Sequence, residues 1–273
     1  MLDHVFDLDA YFQRIGYHGP RTPTLATLQA IHVRHPAAIP FENLDVLLGR
    51  SLPLDLPSVE QKLVFGGRGG YCFEQNTLFA AALRALGFRI RTLSGRVRWN
   101  VPAEQVPPRT HMTLQVDLDE GSHLADVGFG GLSLTTPLRL DTDKAQDTPH
   151  EPHRIAADGA RRMLQAKLDR DWKDVYEFTL EEQFPIDYEM GNWYTSTHPN
   201  SRFRQNLFVA RSGAPGERFG LFNREFVVRR GPVVERQMLD DPEELLAVLR
   251  EHFGLIFPRE TRFGEAGAVA WPR

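Results

Sequence analysis

A single cysteine, Cys72, stands among 273 residues, so no internal disulfide can form and every zinc site built on two or more thiolates is excluded. Long apolar runs are missing as well. No stretch approaches the roughly 20 apolar residues that a membrane helix requires, and Met1–Ala10 lacks a basic segment followed by an apolar run. Neither sign of charge dominates, with 32 Lys and Arg against 36 Asp and Glu and a formal net charge of −4. That balance gives no electrostatic reason to condense on nucleic acid or anionic lipid. Internal repeats and low-complexity tracts are absent too. The simplest expectation is a cytoplasmic protein with neither a nucleic-acid nor a membrane partner.

What is present is the composition of an ordinary globular chain, 41% hydrophobic and 25% charged. The length exceeds the roughly 100–200 residues of a usual single domain, so two or three packed units with clefts between them are expected. Residues 1–87 read as a small helical bundle. A first helix over Asp9–Ile15 stops at Gly16, and a second has Thr22 as N-cap with Pro23 in its first turn. Leu25, Leu28, Ile31 and His32 share a face of that second helix. The Ser58/Gln61 spacing of a capping box predicts a third helix over Val59–Phe65, and a fourth follows Cys72 and stops at Gly87.

Residues 88–200 change pattern to short alternating runs, such as Met112, Leu114, Val116 and Leu118, with Asp158-Gly159 as a hairpin turn. This unit is expected to be β-rich and barrel-like. Its end, residues 181–200, reads as a connector because it holds Pro185, Gly191 and the polar cluster Thr195–Pro199. Residues 201–273 read as a small α+β unit. Strands are expected at Arg218–Phe222, Glu225–Arg229 and Val233–Leu239, then a helix over Pro242–Phe253 capped by Asp241.

Cys72 is either a buried small hydrophobe or a nucleophile. It follows Gly69-Gly70 and opens a helix, where unpaired N–H groups and the positive end of the dipole favour a thiolate and an oxyanion alike. A thiolate enzyme needs a base, and the base an orienting acceptor. His111, one of ten histidines, opens an alternating strand, and Asp126 closes the next short run, so an antiparallel pair could make them neighbours.

These residues resemble a known family, the arylamine N-acetyltransferases. Arg68-Gly69-Gly70-Tyr71-Cys72-Phe73-Glu74-Gln75-Asn76 is similar to its cysteine motif, and Pro40-Phe41-Glu42-Asn43-Leu44-Asp45 to its N-terminal signature. Thr110-His111-Met112, Asp126-Val127-Gly128-Phe129-Gly130, and Asn192-Trp193-Tyr194 with Ser201-Arg202-Phe203 resemble three further segments, in the family's order and over a length similar to its shorter bacterial members. The resemblance implies an α+β fold with an N-terminal helical bundle, a central β-barrel-like unit and a C-terminal α/β lid around a cysteine-protease-like core. It also implies a Cys72–His111–Asp126 triad, acetyl-CoA as acyl donor, an arylamine or hydrazine acceptor, and a ping-pong reaction through acetyl-cysteine. By the same resemblance Phe129 and Gly130 border the cofactor, while Arg68, Glu74 and Asn76 support the cysteine turn. No metal is expected.

Two other readings stay open on the residues alone. A transglutaminase-like or other cysteine hydrolase uses the same three side chains, and a non-catalytic module could bind CoA or a small molecule in the same cleft. Arg89, Arg91, Arg96 and Arg98 are read as solvated charges on an edge strand, and His150 and His153 as residues of a polar loop. Gly66–Gly70 lacks the Gly-Lys-Ser/Thr ending of a nucleotide loop. Glu42 and Asn43 are read as hydrogen-bonding anchors of the bundle.

Overall fold

The computed structural model describes residues 4–263 and Val269. Residues 1–3, 264–268 and 270–273, at the ends of the units expected at 1–87 and 201–273, lie outside the described residues. Helix α1 (Leu8–Ile15) starts where Asp7 accepts the Ala10 N–H and stops at a left-handed Gly16. Helix α2 (Leu25–Ala38) corrects one expectation. Its cap is Thr24, whose hydroxyl accepts the Thr27 N–H, because Thr22 is already spent in a turn in which its carbonyl accepts the Thr24 N–H. After β1 (Phe41–Glu42) and α3 (Leu44–Leu47) comes a second correction. Helix α4 (Leu56–Glu60) is capped by Asp55, which accepts the Ser58 N–H; Ser58 therefore lies inside the helix, and a π-helical turn, Gln61–Phe65, continues it. Helix α5 (Cys72–Ala85) completes the bundle.

The middle of the chain forms β2 (Arg89–Val97), β3 (Arg109–Leu118), β4 (Gly121–Ala125), β5 (Leu138–Arg139), β6 (His153–Asp158), β7 (Arg161–Leu168) and β8 (Asp171–Phe178). All seven join one antiparallel sheet in the order β5-β4-β3-β2-β8-β7-β6. A single residue links its two edges. Gln146 exchanges backbone hydrogen bonds of 2.7 and 3.0 Å with His153 of β6, while its side-chain amide does the same with the Arg139 backbone of β5 at 2.8 and 3.0 Å. The sheet curls on that seam around Leu93, Leu124, Leu164, Val175 and Tyr176. Strand β2 is thus interior and not an edge. Beta8 pairs with it only at Gly95–Val97, and before that point Gln183 exchanges hydrogen bonds with Thr92.

A third correction concerns 181–200, most of which is helix α6 (Pro185–Thr197). The Asp187 carboxylate accepts the Phe184 N–H at 2.8 Å, Pro185 sits in the first turn, and Gly191 lies where a Cβ would come within 2.9 Å of the Phe73 ring. The glycine is there for close packing and does not break the helix. The remainder is α7 (Arg202–Gln205), β9 (Phe208–Ser212), β10 (Glu217–Phe222), β11 (Glu225–Arg230), β12 (Val233–Met238) and α8 (Pro242–Phe253), whose cap Asp241 accepts two N–H groups. Beta1 pairs with β9 and so extends the C-terminal sheet, β1-β9-β10-β11-β12, while Leu44 and Leu47 of α3 join that sheet's core. Among the described residues no helix is long and apolar enough to cross a membrane.

Asn43, read as an anchor inside the bundle, reaches out of it. Its Nδ2 donates to the Phe203 and Asn206 carbonyls at 2.6 and 2.8 Å, and its Oδ1 accepts the Phe208 N–H at 2.8 Å. Asn43→Ala would leave three main-chain groups of a partly buried junction without the buried side chain that satisfies them. We predict a loss of about 2–4 kcal/mol, read from urea unfolding at constant m-value. A loss within experimental error would mean that these groups find other partners.

Candidate active site

Local chemistry explains how Cys72 is presented. The turn Arg68–Tyr71 is strapped to β1, with the Gly70 N–H donating to the Pro40 carbonyl at 3.3 Å and the Gly70 carbonyl accepting the Glu42 N–H at 3.0 Å. Only glycine fits there: a Cβ on Gly69 would lie 2.0 Å from the Pro40 carbonyl oxygen. The Glu74 carboxylate then accepts the Tyr71 N–H at 3.1 Å, starting α5 at Cys72. Charged groups brace the turn from behind. Arg68 pairs with Glu42 at 2.6 Å and Asp45 at 3.2 Å, and Lys62 pairs with Glu74 at 2.7 Å and Asp45 at 2.8 Å.

His111 lies near the start of β3, and the register pairing Leu114 with Ala125 brings Asp126, one residue beyond β4, back beside it. His111 Nε2 is 2.7 Å from Asp126 Oδ2, and both residues are buried. That contact leaves Nδ1 as the free ring nitrogen, and Cys72 is near enough to help raise the imidazole. Asp126 Oδ1 accepts from Asn76 Nδ2 and from the Gly128 N–H, each at 2.9 Å. Burial by itself would lower the His111 pKa; the Asp126 charge and hydrogen bond, helped by Cys72, outweigh it and raise the group to about 10. Burial would raise the Asp126 carboxyl, but His111, Asn76 and Gly128 hold it below the ordinary carboxylate value. The Thr110 carbonyl, 3.4 Å from Cys72 Sγ, would accept a thiol S–H, a weaker neighbour than a charged imidazolium.

Aromatic rings enclose the imidazole. Tyr176 of β8 lies 4.5 Å from its ring centroid and Phe129 5.3 Å in an edge-on contact. The Gly130 N–H donates to Ser133 Oγ, and a Cβ on Gly130 would press on the Phe41 ring at 3.2 Å. Gly128 packs against Cys72, since a Cβ there would be 2.8 Å from Cys72 Cα. Tyr176 and Lys62 carry no signal in the sequence, and Asp45 enters there only as the last residue of the N-terminal signature. Tyr176 lies in an ordinary alternating strand far along the chain, and Lys62 in a short helical run, so spacing carried no signal for either.

Other candidates lie apart. Arg96 donates to the Pro107 carbonyl and Arg98 to the Gln105 carbonyl, each at 2.6 Å, and Arg89 and Arg91 face Asp119 and Asp117 at 3.7 and 3.8 Å. His153 is buried at the start of β6, a correction to its placement in a loop, while His150 braces the loop through Thr135 and the Glu217 carbonyl. Among the described residues no group of His, Cys, Asp or Glu is arranged to hold a metal ion.

Comparison with known proteins adds an independent finding. Residues 24–262 match a family model described as N-acetyltransferase. The chain is 45% identical to an arylamine N-acetyltransferase of Escherichia coli K12 over 91% of this chain and 88% of that protein. The solved arylamine N-acetyltransferase from Salmonella typhimurium superposes with a TM-score of 0.89 at 40% identity, covering 94% of this chain and 96% of the other. That of Mycobacterium marinum in complex with CoA gives 0.88 at 39% identity, with 91% and 92% covered.

The geometry predicts how the thiol responds to pH. With His111 raised by Asp126, alkylation of Cys72 by iodoacetamide should stay fast well below pH 8. In Asp126→Asn the charge is lost, burial dominates, and His111 falls below its ordinary value. Alkylation near pH 6 should then slow by about 10- to 100-fold, while the rates near pH 9 converge. Superimposable profiles would show that Asp126 does not govern the thiol.

Proposed function

Because this chain belongs to the arylamine N-acetyltransferase family, we propose that it carries the acetyl group of acetyl-CoA on Cys72 and delivers it to an aromatic amine or hydrazine in two half-reactions. The observation that carries the reading is the chain's only thiol at the start of α5, beside an imidazole that a buried carboxylate holds charged.

In the first half-reaction the Cys72 sulfur attacks the thioester carbonyl carbon, and the unpaired N–H groups at the start of α5 stabilise the oxyanion. The bond to the CoA sulfur breaks, and the His111 imidazolium gives its proton to the departing thiolate. Exchange of one thioester for another is nearly isoenergetic, so acetyl-Cys72 can accumulate. In the second, the amine nitrogen attacks the acetyl carbon and neutral His111 takes its proton. The amide forms, and Cys72 leaves as a thiolate beside a restored imidazolium. Asp126 keeps its charge throughout, orienting the ring and stabilising its cation. Asn76 ties that carboxylate to the helix bearing Cys72, Arg68 and Glu74 hold the turn before it, and Phe129 and Gly130 border the mouth where donor and acceptor meet. The bundle carries the nucleophile, the barrel the base and its carboxylate, and the C-terminal unit closes over them as a lid. A cytoplasmic setting fits an enzyme that must keep its only cysteine reduced.

Selection of amine over water follows from the apolar walls. Neutral arylamines enter without shedding a charge, whereas alkylamines are protonated near neutral pH and must desolvate it. Intact-mass spectrometry tests the scheme. Wild type mixed with acetyl-CoA should gain one acetyl group that persists in buffer and vanishes on adding an arylamine, more slowly with an alkylamine; Cys72→Ala should never gain it. Rapid loss to water with arylamine present would favour the hydrolase reading, and no acetylation at all would leave a binding module.

A further inference from the structure

His32 of α2 is a fully buried histidine that the scheme above does not use. Its ring stands edge-on to Phe79 at 5.4 Å, and its Nε2 is 3.1 Å from the backbone nitrogen of Asp126. A backbone N–H can only donate, so Nε2 must present its lone pair and the neutral ring carries its proton on Nδ1. That Nδ1 is buried and makes no hydrogen bond to another of the described residues, with only its own backbone beside it. A buried donor without a good partner is destabilising. A leucine would fill the same space beside Phe79 without that cost. Packing alone therefore gives no reason for a histidine at this place.

The reason lies in the turn it contacts. Three successive N–H groups follow β4, and each has a different partner: Asp126 donates to His32 Nε2, Val127 to Asn76 Oδ1 at 3.2 Å, and Gly128 to the Asp126 carboxylate at 2.9 Å. The first of them is the one at the residue whose carboxylate meets His111. We propose that His32 is a positioning residue for acetyl transfer, accepting the Asp126 backbone N–H and so aiming that carboxylate at His111. The role rests on the reading of Asp126 given above. Burial, which outweighs the attraction of the Asp126 charge, holds the His32 pKa down to about 4. The acceptor lone pair is therefore available at neutral pH. His35, the other buried ring of α2, faces away to Tyr11 and Gln75 at 2.9 and 2.7 Å and does not compete for the same N–H.

Two variants and one spectrum test this. His32→Leu keeps the bulk and removes the acceptor; His32→Gln sets an amide oxygen near the place of Nε2. In single-turnover mixing with acetyl-CoA, His32→Leu should acetylate Cys72 about tenfold more slowly, with the glutamine variant within about threefold of wild type. The acid limb of Cys72 alkylation should move toward neutral pH in the leucine variant only, a change that a general loss of stability would not produce. Nitrogen-15 NMR of the wild-type imidazoles should show His32 protonated at Nδ1 and bare at Nε2. A wild-type alkylation profile in His32→Leu, a glutamine variant as impaired as the leucine one, or a proton on Nε2 would each overturn the proposal. Should the leucine variant not fold, the glutamine variant and the tautomer decide. If wild type takes up no acetyl group while the alkylation profiles still separate the variants, the acetyl-carrier reading fails and the role of His32 stands.

Discussion

The contact between His111 and Asp126 governs the chemistry available to this protein. A carboxylate shut away from water normally takes up a proton, because an isolated buried charge is far costlier than a neutral acid. Asp126 escapes this by accepting from His111, Asn76 and the Gly128 N–H together, and its retained charge forces the neighbouring imidazole to remain a cation. That cation in turn is the natural counter-ion for a thiolate at a helix start. The charge on the ring beside Cys72 thus depends on Asp126, on the far side of that ring.

The carboxylate must be held in place, and its supports come from different parts of the chain. Alpha5 supplies Asn76 one helical turn after Cys72, so a single helix sets the thiol and a support of the Asp126 carboxylate at a fixed spacing. Alpha2 supplies His32, and β8 lays Tyr176 over the imidazole. The barrel that carries His111 is closed by one glutamine bridging its edge strands. The C-terminal sheet borrows its first strand from the bundle, immediately before Asn43 and beside the cysteine turn. The units that meet at the site are thus joined by direct hydrogen bonds and ring contacts.

Local signals were legible wherever a decision is local. The last helix, with Asp241 as cap, Pro242 in its first turn and Gly254 beyond its end, runs over the expected residues, and the expected β6–β7 hairpin forms with its turn one residue later than Asp158-Gly159, at Gly159-Ala160, since Asp158 still pairs with Arg161. Legibility failed where two local choices were close and distant contacts broke the tie. Thr22 and Thr24 are equally good caps in sequence, but the Thr22 carbonyl is taken up in the preceding turn. Gly191 and the hydroxyl cluster after it read as a connector until Phe73 packs against the glycine and Ser196 and Thr197 fold their hydroxyls back onto the α6 carbonyls of Asn192 and Trp193.

The sequence by itself determined which atom could be the nucleophile, since no other thiol exists, and it brought His111 and Asp126 forward because a strand start and the next strand's end meet in any antiparallel pair. The tertiary structure alone decided the state of those groups. Whether Asp126 keeps its charge, which nitrogen of His32 holds a proton, and that Asn43 bonds to Phe203, Asn206 and Phe208 are matters of desolvation and hydrogen bonding between residues far apart in the chain. Such terms arise only when distant segments exclude water together, so no local pattern can carry them.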